Sequence, residues 1–203
     1  MIEVGAGIGH CTRVLLGQPG IRRLVAVERE SAYCAKLRQI LPGPDVVEGT
    51  IHEIDRGSRW DAIVSVNVLE HIRDDEDELR AYARVLGPHR GHLCLFVPAR
   101  PELSAQIDRD FGHLRRYTRP ELRGKLQAAT FDIVRLNYFN LAGYFAWWLN
   151  FRLLRNRRFQ QWKVRIFDRM IFPITNFAES IVMRPPVGQS LIAVAQAHES
   201  FRG

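Results

Sequence analysis

Glu3-Val4-Gly5-Ala6-Gly7-Ile8-Gly9 closes a short β-rich run, Ile2–Val4, and opens a helical pattern that runs from Gly9 to Leu16. Glycines at a strand-to-helix junction allow a tight turn and let a ligand come close to the backbone beside a helix N-terminus. A dinucleotide fingerprint, G-x-G-x-x-G, would need glycine at position 10, but that residue is His10. The third glycine comes one residue early, at Gly9, and an acid, Glu3, stands two residues before the first. An NAD(P)-dependent oxidoreductase is therefore the disfavoured reading. No Gly-Lys-Ser/Thr follows, which excludes a Walker phosphate loop.

Outward from this loop, short apolar runs alternate with helical patterns. Leu24–Val27, Asp45–Glu48, Asp61–Val66 and Gly91–Val97 read as strands. Helices are expected from Ser31, as N-cap, to Leu41 and from Asp74 to Leu86. The second begins with four acids, Asp74 to Asp77, and carries Arg80 and Arg84 later, the order the helix macrodipole favours. Thr118-Arg119-Pro120-Glu121 is a capping box with proline in the first turn, so a helix should run to about Ala128. Phe131–Tyr138 and Leu191–Gln196 are the last strands. Runs apolar throughout, separated by helices, indicate an α/β fold whose mostly parallel sheet is covered on both faces. Residues 140–189 fit no βα unit and are expected to form a helical insertion or cap before the last strand. The main domain is then 1–139 plus 190–203.

The loop resembles the first motif, E-x-G-x-G-x-G, of class I S-adenosylmethionine-dependent methyltransferases, and the resemblance continues in order. Leu24-Val25-Ala26-Val27-Glu28 is similar to that family's second strand, which ends in the acid that accepts the ribose hydroxyls. Val47-Glu48-Gly49-Thr50-Ile51 resembles the segment edging the adenine, with Thr50 where the family usually has Asp. Trp60 to Ile72, WDAIVSVNVLEHI, is similar to the fourth-strand motif of the small-molecule branch, which includes the ubiquinone and menaquinone methyltransferases. Leu86-Gly87-Pro88 with Gly91-His92-Leu93, and Ala129-Thr130-Phe131, follow the same branch. The resemblance implies a Rossmann-like seven-stranded sheet and S-adenosylmethionine as cofactor. It implies that Glu3, Gly5, Gly7, Gly9, Glu28, Thr50, Ile51 and Asn67 contact that cofactor.

Methyl transfer to oxygen requires a group to take the acceptor's proton, and histidine is suited to it. His71 stands just past the fourth strand, at the carboxyl edge where open α/β sheets bind ligands. The competing reading packs it under the following helix. No metal is expected, although a divalent ion on Glu70 and His71, near Asn67, is an alternative that some quinone-ring O-methyltransferases suggest. Phe111 to Tyr117, FGHLRRY, resembles the H-x-R-x-Y-T stretch that lines the substrate pocket in the small-molecule branch. His113 is thereby the second candidate base, and Arg115, Arg116 and Tyr117 are candidates for the substrate. The opposing reading spends the two arginines on Asp108 and Asp110.

The chain has 203 residues and a formal charge of +7. Residues 1–100 carry 13 basic and 14 acidic side chains, whereas residues 101–203 carry 16 and 8. Of 20 aromatic residues, 12 lie between Tyr138 and Phe177. The excess charge therefore belongs to the back half and says little about the chemistry of the glycine loop. Within the insertion, 143–169 mixes Trp and Phe with bunched arginines, which suits an anionic membrane surface, a cap over an apolar pocket, or nucleic acid. The N-P-P-Y/F element of base-modifying methyltransferases is absent after Asn67, so nucleic acid is disfavoured. The longest uncharged stretch, Leu136 to Phe151, has 16 residues and is too short to span a bilayer. Three cysteines without a CxxC pair give no disulfide framework. The expected setting is cytoplasmic, with peripheral attachment at the inner membrane face as an extension. The expected activity is methyl transfer to a small, apolar or lipid-linked acceptor, with O-methylation favoured. A non-catalytic membrane- or partner-binding relative of the same fold is the rival class.

Overall fold

A computed structural model describes residues 1–40, 45–55, 57–148 and 185–199. Seven strands form one sheet: β1 (Ile2–Val4), β2 (Val25–Glu28), β3 (Asp45–Glu48), β4 (Ala62–Val66), β5 (His92–Pro98), β6 (Phe131–Phe139) and β7 (Ser190–Ala197). Their order is β3-β2-β1-β4-β5-β7-β6, parallel except for β7, which runs antiparallel to both neighbours. The order reverses between β1 and β4, so the crevice at their carboxyl ends is the place where an open α/β sheet takes its ligand. The expected α/β, mostly parallel sheet is what forms.

Helices connect the strands: α1 (His10–Leu16), α2 (Ser31–Ile40), α3 (Asp75–Leu86), α4 (Gln106–Asp110), α5 (Arg119–Ala128) and α6 (Leu141–Trp147). Every residue of β1 and β2 is buried, and successive strand side chains point to opposite faces, so both faces here are covered. One face joins the main core, where Ile2, Val4, Val25 and Val27 meet Ile63, Leu79, Leu93 and Leu95. The other is a smaller cluster of Ala6, Ala26 and Leu37. α3 begins as the acid run requires: the Asp74 side chain accepts from the Asp77 N–H at 2.9 Å. α5 begins with the expected box, in which Thr118 and Glu121 cap each other.

Three local expectations change. Ser31 is the first helical residue rather than an N-cap, and its hydroxyl donates to Glu48, tying α2 to β3. The stretch before Phe111, to which the sequence reading assigns no element, contains α4, because the Asp108 carboxylate accepts from the Ala105 N–H at 2.8 Å and so starts the turn. Gly91 precedes β5. A Cβ there would stand 2.6 Å from the Trp60 carbonyl, which is why this turn into the strand carries glycine.

The segment between β6 and β7 leaves the sheet at Asn140 and returns at Gln189. The Gln189 N–H donates to the Asn140 carbonyl at 3.2 Å, and the two side-chain amides meet at 3.1 Å. Its first turns are α6, capped by the Asn140 side chain accepting from the Gly143 N–H at 2.7 Å. Most of the aromatic and basic segment 143–169, with its expected membrane-facing role, lies outside the described residues. Among those described, no helix is long and apolar enough to cross a membrane.

Candidate active site

The glycine loop lies at the topological switch point. Gly5, Gly7 and Gly9 have φ of +72°, +55° and +84°, backbone that residues with a Cβ rarely adopt. At Gly5 the reason is also steric, since a Cβ would lie 2.3 Å from Val68 Cγ2. At Gly7 a Cβ would meet nothing within 4 Å, so the loop leaves open space there for a ligand. The Gly7 N–H donates to Glu28 Oε2 at 2.7 Å, and Glu30 N–H donates to Glu28 Oε1 at 2.9 Å. Each oxygen keeps a second lone pair, so the carboxylate at the end of β2 can still accept hydroxyls beside the loop.

Glu3 is 2% exposed, and its Oε2 has no hydrogen-bond partner. Burial pushes its carboxyl above the ordinary range, with Thr12 and Cys11 opposing the shift. The same burial, beside Glu3, pushes the Cys11 thiol up to about 12, so it is inert at neutral pH. An unpartnered buried acceptor beside the loop, open space at Gly7 and an acid at the end of β2 with lone pairs to spare fit S-adenosylmethionine, whose ribose hydroxyls need acceptors. Thr50 is engaged locally: its hydroxyl and N–H both donate to Glu53 Oε2, at 2.7 and 2.6 Å, capping a short turn. Ile51 is fully buried in the main core. Asn67 is exposed, with φ +54° at the end of β4, and its N–H donates to Phe96 O at 2.8 Å.

The second half of the crevice joins the turn after β4 to the loop after α4. The His71 Nδ1 lies 3.2 Å from the Gly112 carbonyl. A carbonyl only accepts, so Nδ1 carries the proton and Nε2 carries the lone pair. Partial burial and the neighbouring His113 hold His71 below its ordinary pKa. The His113 ring meets the His71 ring edge-on, with centroids 4.8 Å apart. His113 Nδ1 is 3.2 Å from Asp108 Oδ1, and its Nε2 is 3.9 Å from Glu70 Oε1. Glu70 is completely buried, neither carboxylate oxygen has a hydrogen bond, and burial pushes it up to about 7. One ligand-type atom from each of Glu70, His71 and His113 falls within 4.8 Å of the others. The sequence paired Glu70 and His71 with Asn67. Here a third such atom comes from His113, 42 residues on in the chain.

The expected substrate residues have other employment. Arg116 is buried and donates from Nε and Nη2 to Asp108 Oδ1 at 3.1 and 2.7 Å, and from Nη1 to Ala99 O at 3.1 Å. The Trp147 ring covers its guanidinium at 4.9 Å. Arg115 Nη1 pairs with Asp75 Oδ1 at 2.8 Å, and Tyr117 donates to Asp75 Oδ2 at 2.8 Å. Lys125 completes the group at 2.9 Å from Asp75. These cations and hydrogen-bond donors hold Asp75 and Asp108 below the ordinary carboxylate range. The chemistry chosen for a substrate anion is thus spent on two internal carboxylates, one of which, Asp108, the opposing sequence reading had named. Asp75 was missed in this role because it sat inside an acid run that reads as helix start. The signal available was its place at N1, where α3 turns inward.

A family model described as a methyltransferase domain matches residues 1–136. No curated protein matches the chain. Among solved structures, a chain from the complex of the Trm112 methyltransferase activator of Haloferax volcanii is 15% identical with a TM-score of 0.67, covering 97% of this chain and 81% of that one. An S-adenosylmethionine-dependent methyltransferase from Mesorhizobium loti is 14% identical with a TM-score of 0.63, over 96% and 89%. A mycolic acid cyclopropane synthase complexed with SAH and CTAB is 15% identical with a TM-score of 0.59, over 96% and 76%. At these identities the likeness shows the fold, while the family model covers two thirds of the sequence. With the glycine loop, its acid and the switch-point crevice in place, the chain belongs to the methyltransferase-domain family and is a class I methyltransferase that uses S-adenosylmethionine.

Proposed function

We propose that the protein methylates an oxygen of a small, apolar or lipid-linked acceptor, with His71 as the base. The observation that carries this reading is the short span from Asn67 to His71. Val68 packs against Gly5 of the cofactor loop, and three residues later His71 keeps an unprotonated Nε2 at the same sheet edge. Bound at the loop, S-adenosylmethionine supplies an electrophilic methyl group on a positively charged sulfur. Glu3, Gly5, Gly7, Gly9 and Glu28 would hold it, with Thr50, Ile51 and Asn67 at its margins. His71 Nε2 would take the proton of the acceptor hydroxyl as the oxygen–methyl bond formed and the sulfur–methyl bond broke, leaving a neutral thioether, a cationic histidine and a neutral methylated acceptor. Positioning supplies much of the rate, because the leaving group is already good.

Exposed Val66, Phe111, Leu114, Phe145 and Trp148 favour an apolar acceptor over a highly charged one. The arginine-rich sequence in 143–169 favours delivery from an anionic membrane surface, on the cytoplasmic side. Calorimetric titration of the full chain with S-adenosylmethionine, followed by transfer of labelled methyl to phenolic and lipid-linked phenolic acceptors, tests the reading. Cofactor binding with label on an ether oxygen, lost in His71→Ala, is the expected result. Absence of cofactor binding would leave the non-catalytic, membrane- or partner-binding class. Sedimentation with vesicles containing 30% anionic lipid, independent of that lipid, would remove the membrane face.

A further inference from the structure

Glu70 has no place in the steps above, yet it is the most conspicuous buried charge in the crevice. It is fully buried, both carboxylate oxygens lack hydrogen bonds, and the His113 ring Nε2 stands 3.9 Å from Oε1. A buried carboxylate costs several kcal/mol unless it is paired. Arg116 is not its partner, because Asp108 and the Ala99 carbonyl occupy that guanidinium.

The contacts around Glu70 form two ties between the turn after β4 and the loop after α4. One is backbone: the Leu114 N–H donates to the Glu70 carbonyl at 2.9 Å. The other runs through side chains, from Glu70 to His113, then to Asp108 and on to Arg116. Asp108 fixes His113 through Nδ1, which leaves Nε2 directed at Glu70. Immediately before these two ties in the chain lies Gly112, at φ +78°, whose carbonyl fixes the proton of His71 on Nδ1. A Cβ at Gly112 would sit 3.6 Å from that same Nδ1, so the loop backbone lies directly against the imidazole.

We propose that Glu70 is a positioning residue: by anchoring His113 it holds the Gly112 carbonyl against His71 and so sets the tautomer that exposes Nε2. This inference rests on the reading of His71 as the base, but its geometry is separate from cofactor and acceptor. A tautomer left unfixed would divide His71 between two forms, and only one presents a lone pair to the crevice.

The test uses the full chain with ¹⁵N-labelled histidine, followed by long-range ¹H–¹⁵N spectra at pH 8, together with amide exchange. In the wild type, His71 should show protonated Nδ1 and unprotonated Nε2, with slow exchange at the Leu114 amide. Glu70→Gln and His113→Gln should each turn the His71 signals into a tautomer average and speed Leu114 exchange by about tenfold or more. Glu70→Asp, which keeps the charge, should restore part of both. Calorimetry should find cofactor affinity unchanged within twofold in all three, which separates this outcome from failure of the cofactor assignment. A single Nδ1–H tautomer persisting in both folded neutral variants would overturn the proposal. So would one-to-one binding of Zn²⁺ or Co²⁺ that Glu70→Gln abolishes, since the three side chains would then be ligands rather than an anchoring chain. Should Glu70→Gln fail to fold, His113→Gln and Glu70→Asp give the same two readouts.

Discussion

The crevice has two walls that handle charge in opposite ways. On the wall formed by β1 and β2, acids stand with few partners: Glu3 has an unpartnered oxygen, and Glu28 meets only backbone N–H groups. On the wall formed after β4 and β5, cations and hydrogen-bond donors crowd around acids: Arg115, Lys125 and the Tyr117 hydroxyl converge on Asp75, while Arg116 and the His113 ring converge on Asp108. The first wall keeps its acceptors available for a ligand. The second has closed Asp75 and Asp108 on their partners, leaves the buried Glu70 carboxyl without a hydrogen bond, and keeps His71 and apolar side chains at the surface. A polar cofactor and an apolar acceptor would require that division.

The difference can be broken most forcefully at Asp108. Replacing it with Ala strands Arg116 in the interior, and chemical unfolding should record a loss of about 3–5 kcal/mol. A loss under 1 kcal/mol would mean the second wall is not held by its ion pairs.

The next effect is in pH. Burial raises Glu70 from its ordinary 4.5 to about 7, so the native protein binds this proton more tightly than the open chain does. Its contribution, about 3 kcal/mol, is present in full below pH 4.5 and is lost as pH rises through 7. Asp75 and Asp108 are shifted the other way, and their contributions are lost only on acidification below the ordinary carboxylate range. Urea unfolding at pH 5 and pH 8 should therefore show wild type losing stability relative to Glu70→Gln as pH rises. Parallel curves would show that Glu70 keeps its proton in neither state.

The smallest effect belongs to the first wall and should appear in affinity instead. Glu28→Ala removes charged acceptors from the ribose position and should weaken S-adenosylmethionine about 10- to 100-fold, with stability falling by about 1 kcal/mol. Unchanged affinity would place the ribose elsewhere.

The two walls also differed in how far the sequence disclosed them. The wall of β1 and β2 is written in the short run Glu3 to Gly9 and then in Glu28, because one strand, one turn and one helix start, with the end of the next strand, build it. The strands and long helices were readable for a similar reason, since an apolar run between helical patterns has few other places to go. The second wall was read only in part. His71 and His113 were each visible as candidates, but not their contact, which joins residues 42 positions apart. Arg115, Arg116 and Tyr117 looked like a substrate clamp because a sequence shows which donors exist and not which acceptors reach them first. α4 was missed because its start is a local bond from Ala105 to Asp108, without Ser, Thr, Asp or Asn at the cap position.

By itself, then, the order of residues determined the α/β alternation, the glycine turn and the acid at the end of the second strand. Local backbone sterics and hydrophobic periodicity act over a few neighbours, and such information is complete within a window. Only the tertiary structure decided which charges are spent and which remain. It set Asp75 and Asp108 as internal partners, left Glu70 facing His113, and brought Gly112 to His71. Those outcomes depend on burial and on distances of 3–4 Å between segments that are remote in the chain. Coulomb and hydrogen-bond energies are decided at that range, where sequence spacing carries no information.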